Sequence, residues 1–127
     1  MKLIQTEEAP IPAGHYSQAV VHQGVVYVAG QLPVRPDRRA DEEPLSIEEQ
    51  TERALRNVEA ILNAAGSGLD LVLQMTVFVA DMSLWSRVNE VFARVLGDHR
   101  PARAIVPTPD LHHAYQIEIQ TIAAVRD

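Results

Sequence analysis

The chain has 127 residues, 46% of them hydrophobic and 22% charged, the balance of one globular domain spanning residues 1–127. Its 17 Asp and Glu against 11 Lys and Arg leave a formal charge of -6, whose field repels phosphate backbones and anionic lipid, so neither nucleic acid nor a membrane is the expected partner. With no cysteine there are no disulfides, zinc–thiolate sites or thiol nucleophiles. The opening "MKLIQTEEAPIPAG" turns acidic and proline-rich too soon for a signal peptide, and a soluble cytoplasmic protein is expected.

In chain order, "SQAVVHQGVVYVAGQLP" holds two β-branched runs around Gln23-Gly24, a hairpin whose second strand closes at Gly30 and Pro33. "VRPDRRADEEP" mixes both charge signs with two prolines and reads as an exposed loop. Ser46 and Glu49 form a capping box for a helix in which Ile47, Thr51, Ala54, Leu55, Val58, Ile61, Leu62 and Ala65 recur at helical spacing, with Gly66 as its stop. "MTVFVA" is apolar at odd and even positions alike, as in a central strand buried on both faces. A second helix is predicted in "SLWSRVNEVFARVLG", capped by Ser83, stopped by Gly97 and turning Trp85, Val88, Phe92, Val95 and Leu96 inward. Strands in "ARAIVP" and "AYQIEIQTIAAV" complete a β-β-α-β-α-β-β order, an α+β two-layer fold with one mixed sheet and both helices on one face.

The last strand alternates: Tyr115, Ile117, Ile119 and Thr121 on one face, Gln116, Glu118 and Gln120 on the other. Two helices cover only one face, so the isoleucines meet them and the Gln-Glu-Gln row points away. The doubly apolar "MTVFVA" strand implies that part of this helix-free face is also removed from water, and self-association through the open sheet is the simplest way to do that. Glu118 then lies in or beside a subunit interface.

Arg103 and Glu118 stand on the last two strands, which are expected to be neighbours or to meet across a subunit contact. A guanidinium binds a carboxylate at two points, and a partly buried glutamate can move a proton. From these residue types alone, an oligomer-stabilising ion pair and a carboxylate-binding site both fit. His112 and His113 are adjacent, enter a strand on opposite sides and make a poor metal pair, so no metal is assigned. No phosphate-binding glycine loop or nucleophile elbow is present.

The successive blocks "GHYSQAVVHQGVVYVAGQLPV", "IEEQTERALRNVEAILNAAG", "MTVFVADMSLWSRVNEVF", "HRPARAIV" and "YQIEIQTIAAV" resemble those of the RidA (YjgF) family, in the same order and spacing from about Pro12 to Val125. The resemblance implies a chorismate-mutase-like fold assembled as a homotrimer around a central barrel, with ligand sites between subunits. It implies cofactor-free hydrolysis of reactive enamines and imines, such as 2-iminobutanoate, 2-iminopropanoate or 2-aminoacrylate, to 2-oxo acids and ammonia. Carried over by residue, Arg103 of "PAR" would hold the substrate carboxylate and Glu118 of "IEI" would activate water. Tyr16 would wall the pocket, and Gly30 and Asn89 match the family's "GQ" and "VNEV" blocks. The chain departs from the family pattern at Ala29, where serine is usual, at His15, at Ala104 and Ile105 after the arginine, and in "VPTPDLHHAY"; Ala104 and Ile105 would offer the substrate backbone N–H groups. The alternative is a non-catalytic trimeric module that binds a small carboxylate metabolite through the same arginine.

Overall fold

In the computed structural model, which describes residues 1–127, Gln23 and Gly24 take φ of 49° and 78°, the left-handed conformation that a two-residue hairpin turn needs at both central positions. They join β2 (Ala19–His22) to β3 (Val25–Gln31), with His22 opposite Val25. The sequence did not disclose β1 (Lys2–Ile4), which pairs antiparallel with β2; three residues are too few for an alternation to register.

α1 (Ile47–Ala64) begins as its capping box requires: Ser46 Oγ accepts from Glu49 N at 3.1 Å, and Glu49 Oε1 accepts from Ser46 N at 3.0 Å. Such a cap contributes about 1 kcal/mol. The helix buries Ala54, Leu55, Val58, Ile61 and Leu62 against the sheet, and Gly66, at φ 79°, lets the chain turn away. β4 (Val72–Val79) follows.

α2 (Trp85–Leu96) starts differently from expectation. Its N-cap position is Leu84, which has no acceptor, while Asp81 accepts from Ser83 N at 2.9 Å and caps the short turn Met82–Leu84 that feeds the helix. An aspartate binds the amide two residues on, so the turn forms ahead of Ser83 and takes over the cap. Trp85 is 42% exposed rather than inward, and Val91 joins Val88 and Phe92 in the core. Gly97 ends the helix at φ 62°.

β5 (Ala102–Pro107) and β6 (Ile117–Ala124) complete a six-stranded sheet in the order β1-β2-β3-β6-β4-β5. All pairs are antiparallel except β4 with β5, and α2 supplies the crossover that a parallel pair needs. β4 thus has a strand on each side, as its apolar run implied. Met75, Val77 and Val79 are fully buried, Thr76 and Phe78 are half-buried, and Leu73 and Gln74 are exposed beside an irregularity in the β4–β6 pairing. Ile117, Ile119 and Thr121 of β6 are buried on the helix side, while Glu118 and Gln120 face the open side; Tyr115 and Gln116 precede the strand. The result is the expected α+β arrangement of a mixed sheet with two helices. No helix is long and apolar enough to cross a membrane.

Buried amides pin the loops that reach the sheet's open side. Gln18 accepts from Thr6 N at 2.7 Å and donates to the carbonyls of Thr6 and Pro10, each at 3.0 Å, which fastens the segment before Tyr16. Asn57 of α1 donates to Leu32 O and Val34 O at 3.1 and 2.9 Å, holding the chain just after β3.

Candidate active site

The sheet separates the two residues the sequence singled out. β4 lies between β5 and β6, so the strands of Arg103 and Glu118 are not neighbours; local pattern cannot show which strand inserts between them. Arg103 stands opposite the buried Met75 and points to the helix side, whereas Glu118 stands opposite Phe78, three residues along β4, and points to the open side. Within one chain they make no ion pair.

Arg103 is half-buried at the sheet's edge. Its Nη2 donates to Asn89 Oδ1 at 2.9 Å, and its guanidinium lies 5.0 Å from the Phe92 ring centre and 6.0 Å from that of Trp85. The aromatic rings favour the cation and fix its plane without neutralising it. This leaves a charged fork free at a cavity of about 340 Å³ that Asn89, Phe92, His99 and Arg100 also line. Such an arrangement can hold a carboxylate at two points.

Glu118 lies in a second cavity of about 480 Å³, with Tyr16, Ala29, Gly30, Arg38, His112 and His113. Gly30 lies against the carboxylate: a Cβ there would come within 2.9 Å of Glu118 Oε2 and 3.0 Å of Cδ, so a larger residue would displace it. The carboxylate accepts no hydrogen bond from the chain; burial pushes its pKa up, and the nearby His112 opposes that shift. A carboxyl in that state can exchange a proton with a guest molecule.

The expected residues therefore divide into two half-sites. Arg103 and Asn89 share one cavity, and Tyr16, Gly30 and Glu118 share the other. Ala104 and Ile105 line neither: Ala104 is exposed on the open face, and the Ile105 side chain packs against the core. Ala29, where a hydroxyl was missing from the expected pattern, does line the Glu118 cavity.

Three features escaped the sequence. Trp85 and Phe92, read as core by their helical spacing, flank Arg103. His112 and His113 do not diverge, because His113 takes φ 59°; their rings stand edge to face at 4.4 Å and both line the Glu118 cavity. Arg38, in the loop read as plain surface, lines it too. Only the unusual "HH" hinted at any of these.

A small two-layer domain with a free, ring-stacked arginine in one cleft and an unpartnered glutamate in another defines a protein equipped to hold a small polar molecule. The chain belongs to the RidA (YjgF) family: residues 6–125 match the family model described as Endoribonuclease L-PSP. A RutC family protein of Pyrococcus horikoshii is 39% identical over 96% of this chain and 96% of its own length. TdcF of Escherichia coli, named as a candidate reactive intermediate deaminase, is 34% identical over 96% of this chain and 95% of its own. Its crystal structure with bound serine matches 99% of this chain and 100% of that one with a TM-score of 0.91. A candidate endoribonuclease of Thermotoga maritima, 42% identical, covers 100% of this chain and 99% of its own with a TM-score of 0.93.

Proposed function

We propose that the chain is a cofactor-independent deaminase that hydrolyses 2-imino and enamine acids to 2-oxo acids and ammonia, working as a homotrimer with the sheets around a central barrel. The observation that carries this reading is the pair of half-sites, one holding Arg103 and the other Glu118, the two residues assigned to the reaction. Juxtaposing the Arg103 edge of one subunit with the Glu118 cavity of the next would complete the site. The name of TdcF, and the serine bound to it, support a substrate of amino-acid size.

Arg103 would pair with the substrate carboxylate, its plane held by Phe92 and Asn89. Water then adds its oxygen to C2 of the protonated imine while one of its protons passes to the Glu118 carboxylate. Glu118 returns that proton to the nitrogen, the C2–N bond breaks, and ammonia leaves. The remaining hydroxyl proton goes to water as the C2 carbonyl forms. The formal charge of -6 disfavours RNA as a substrate.

The test generates the imine in place with an amino-acid oxidase and follows 2-oxo acid release against competing trapping by semicarbazide. Wild-type protein should speed release, and Arg103→Ala should lower kcat/KM by about 100-fold, the order of a lost charge-assisted carboxylate contact. An Arg103→Ala variant as active as wild type would sink the reading. Saturable 2-oxo acid binding with no turnover would favour the carboxylate-binding module instead.

A further inference from the structure

We propose that Arg38 is a second anion-binding group of the Glu118 cavity and selects substrates with a second carboxylate, the 2-imino dicarboxylic acids; this rests on the deaminase reading and narrows its substrate class. The 11 basic residues are Lys2 and ten arginines, in a chain with 17 acidic residues to pair with. Six arginines do form ion pairs: Arg35, Arg53, Arg56, Arg87, Arg94 and Arg126. Four do not, and two of those, Arg38 and Arg103, have side chains oriented by a neutral acceptor. Each of these two lines one of the two half-site cavities.

Arg38 Nε donates to Ile11 O at 2.8 Å, which leaves both terminal nitrogens for a two-point contact with an anion. The residue lines the 480 Å³ cavity and also an adjoining one of about 60 Å³, and both contain Tyr16, Gly30 and Glu118. Its backbone takes φ 60°, a conformation seldom adopted by a residue with a side chain, and is held there by Arg38 N donating to Arg35 O at 2.8 Å. Strain of this kind persists where surrounding contacts over-determine it, and it gathers at ligand-binding positions. His113, which lines the same cavity, and its neighbour Ala114 carry the same left-handed φ, 59° and 58°. That turn brings His112 and His113 into the cavity wall. Three side chains able to carry positive charge, Arg38, His112 and His113, thus line the cavity that holds one carboxylate. A substrate whose only carboxylate is taken by Arg103 leaves Arg38 unpaired; a second carboxylate on the substrate is the group this free guanidinium would pair with.

The experiment compares 2-iminosuccinate and 2-iminoglutarate, made in place by aspartate and glutamate oxidases, with 2-iminopropanoate made from alanine. Wild-type kcat/KM should favour the dicarboxylic imines by about fivefold, the upper range for one exposed charge-assisted contact. Arg38→Gln should bring that ratio near unity and Arg38→Lys should restore part of it, with thermal melts confirming that both variants fold. In calorimetry, 2-oxoglutarate should bind more tightly than pyruvate, and Arg38→Gln should abolish the difference. Turnover of 2-iminopropanoate with no dicarboxylic preference overturns the inference and leaves the deaminase reading standing. No turnover of any imine overturns the deaminase reading; tighter, Arg38-dependent 2-oxoglutarate binding would then still support the second anion site, and equal binding would overturn it.

Discussion

A carboxylate that is half-buried and receives no hydrogen bond is harder to ionise than one in water, and burial raises the Glu118 pKa for that reason. If the ionised form accepts the proton of the attacking water, kcat/KM should fall as pH drops through the Glu118 pKa, which burial raises and the Arg103 guanidinium brought in by a neighbouring subunit would oppose. His112 opposes the shift, and His112→Ala should move the limb further up. Glu118→Gln should cost about 100-fold or more in kcat and remove the limb. The same shift fixes the sign for stability. A glutamate whose folded pKa is raised destabilises the fold at pH values above that pKa and has no effect once pH is below its unfolded value. Thermal melts should therefore find Glu118→Gln more stable than wild type near neutral pH, with the gain vanishing as the solution is made acidic. Equal gains at both ends would show that desolvation of the charge is not the cause.

At the scale of elements, β6 carries a different defect. Thr121 Oγ1 is buried on the helix side with no hydrogen-bond partner. Valine has nearly the same shape and nothing to leave unsatisfied, so Thr121→Val should stabilise the protein by about 1–3 kcal/mol, a rise of several degrees in Tm by calorimetry. A loss of stability would mean that the hydroxyl is bonded after all. The alternation of β6, the capping box of α1 and the Gln23-Gly24 turn were legible in the sequence because each depends on residues within one helical turn or one hairpin. The insertion of β4 between β5 and β6 was not, since pairing order is set by packing between distant segments. For the same reason Arg103 and Glu118 could be named as candidates, and the open face of Glu118 read from the alternation of its own strand, while the face that Arg103 occupies could not. Trp85 was misplaced because helical spacing alone does not reveal that the first turn of α2 overhangs Arg103. Arg38 was missed because a loop of mixed charge gives no period to read.

At the scale of the molecule, one chain holds both charged groups and brings them to different cavities on opposite faces of its sheet. The open face also exposes Tyr27, at 48%, a large side chain that water covers poorly and a second copy of the chain would cover well. A site shared between subunits makes a quantitative prediction that a site within one subunit does not. Arg103→Ala and Glu118→Gln homotrimers should each be nearly inactive. When the two are mixed, unfolded and refolded together, every interface that takes its arginine from a Glu118→Gln subunit and its glutamate from an Arg103→Ala subunit is intact. Random assembly of equal amounts produces this at about a quarter of the sites, so activity should return to about a quarter of wild type. The Arg103→Ala/Glu118→Gln double variant refolded with wild type controls for exchange, since it too should leave about a quarter of the sites intact if the two residues act across the boundary, but about half if they act within one chain. Light scattering should give the mass of three chains in every mixture. Recovery in the first mixture together with a quarter in the second requires Arg103 and Glu118 to meet between subunits, and no recovery in the first with half in the second would place the whole site in a single chain.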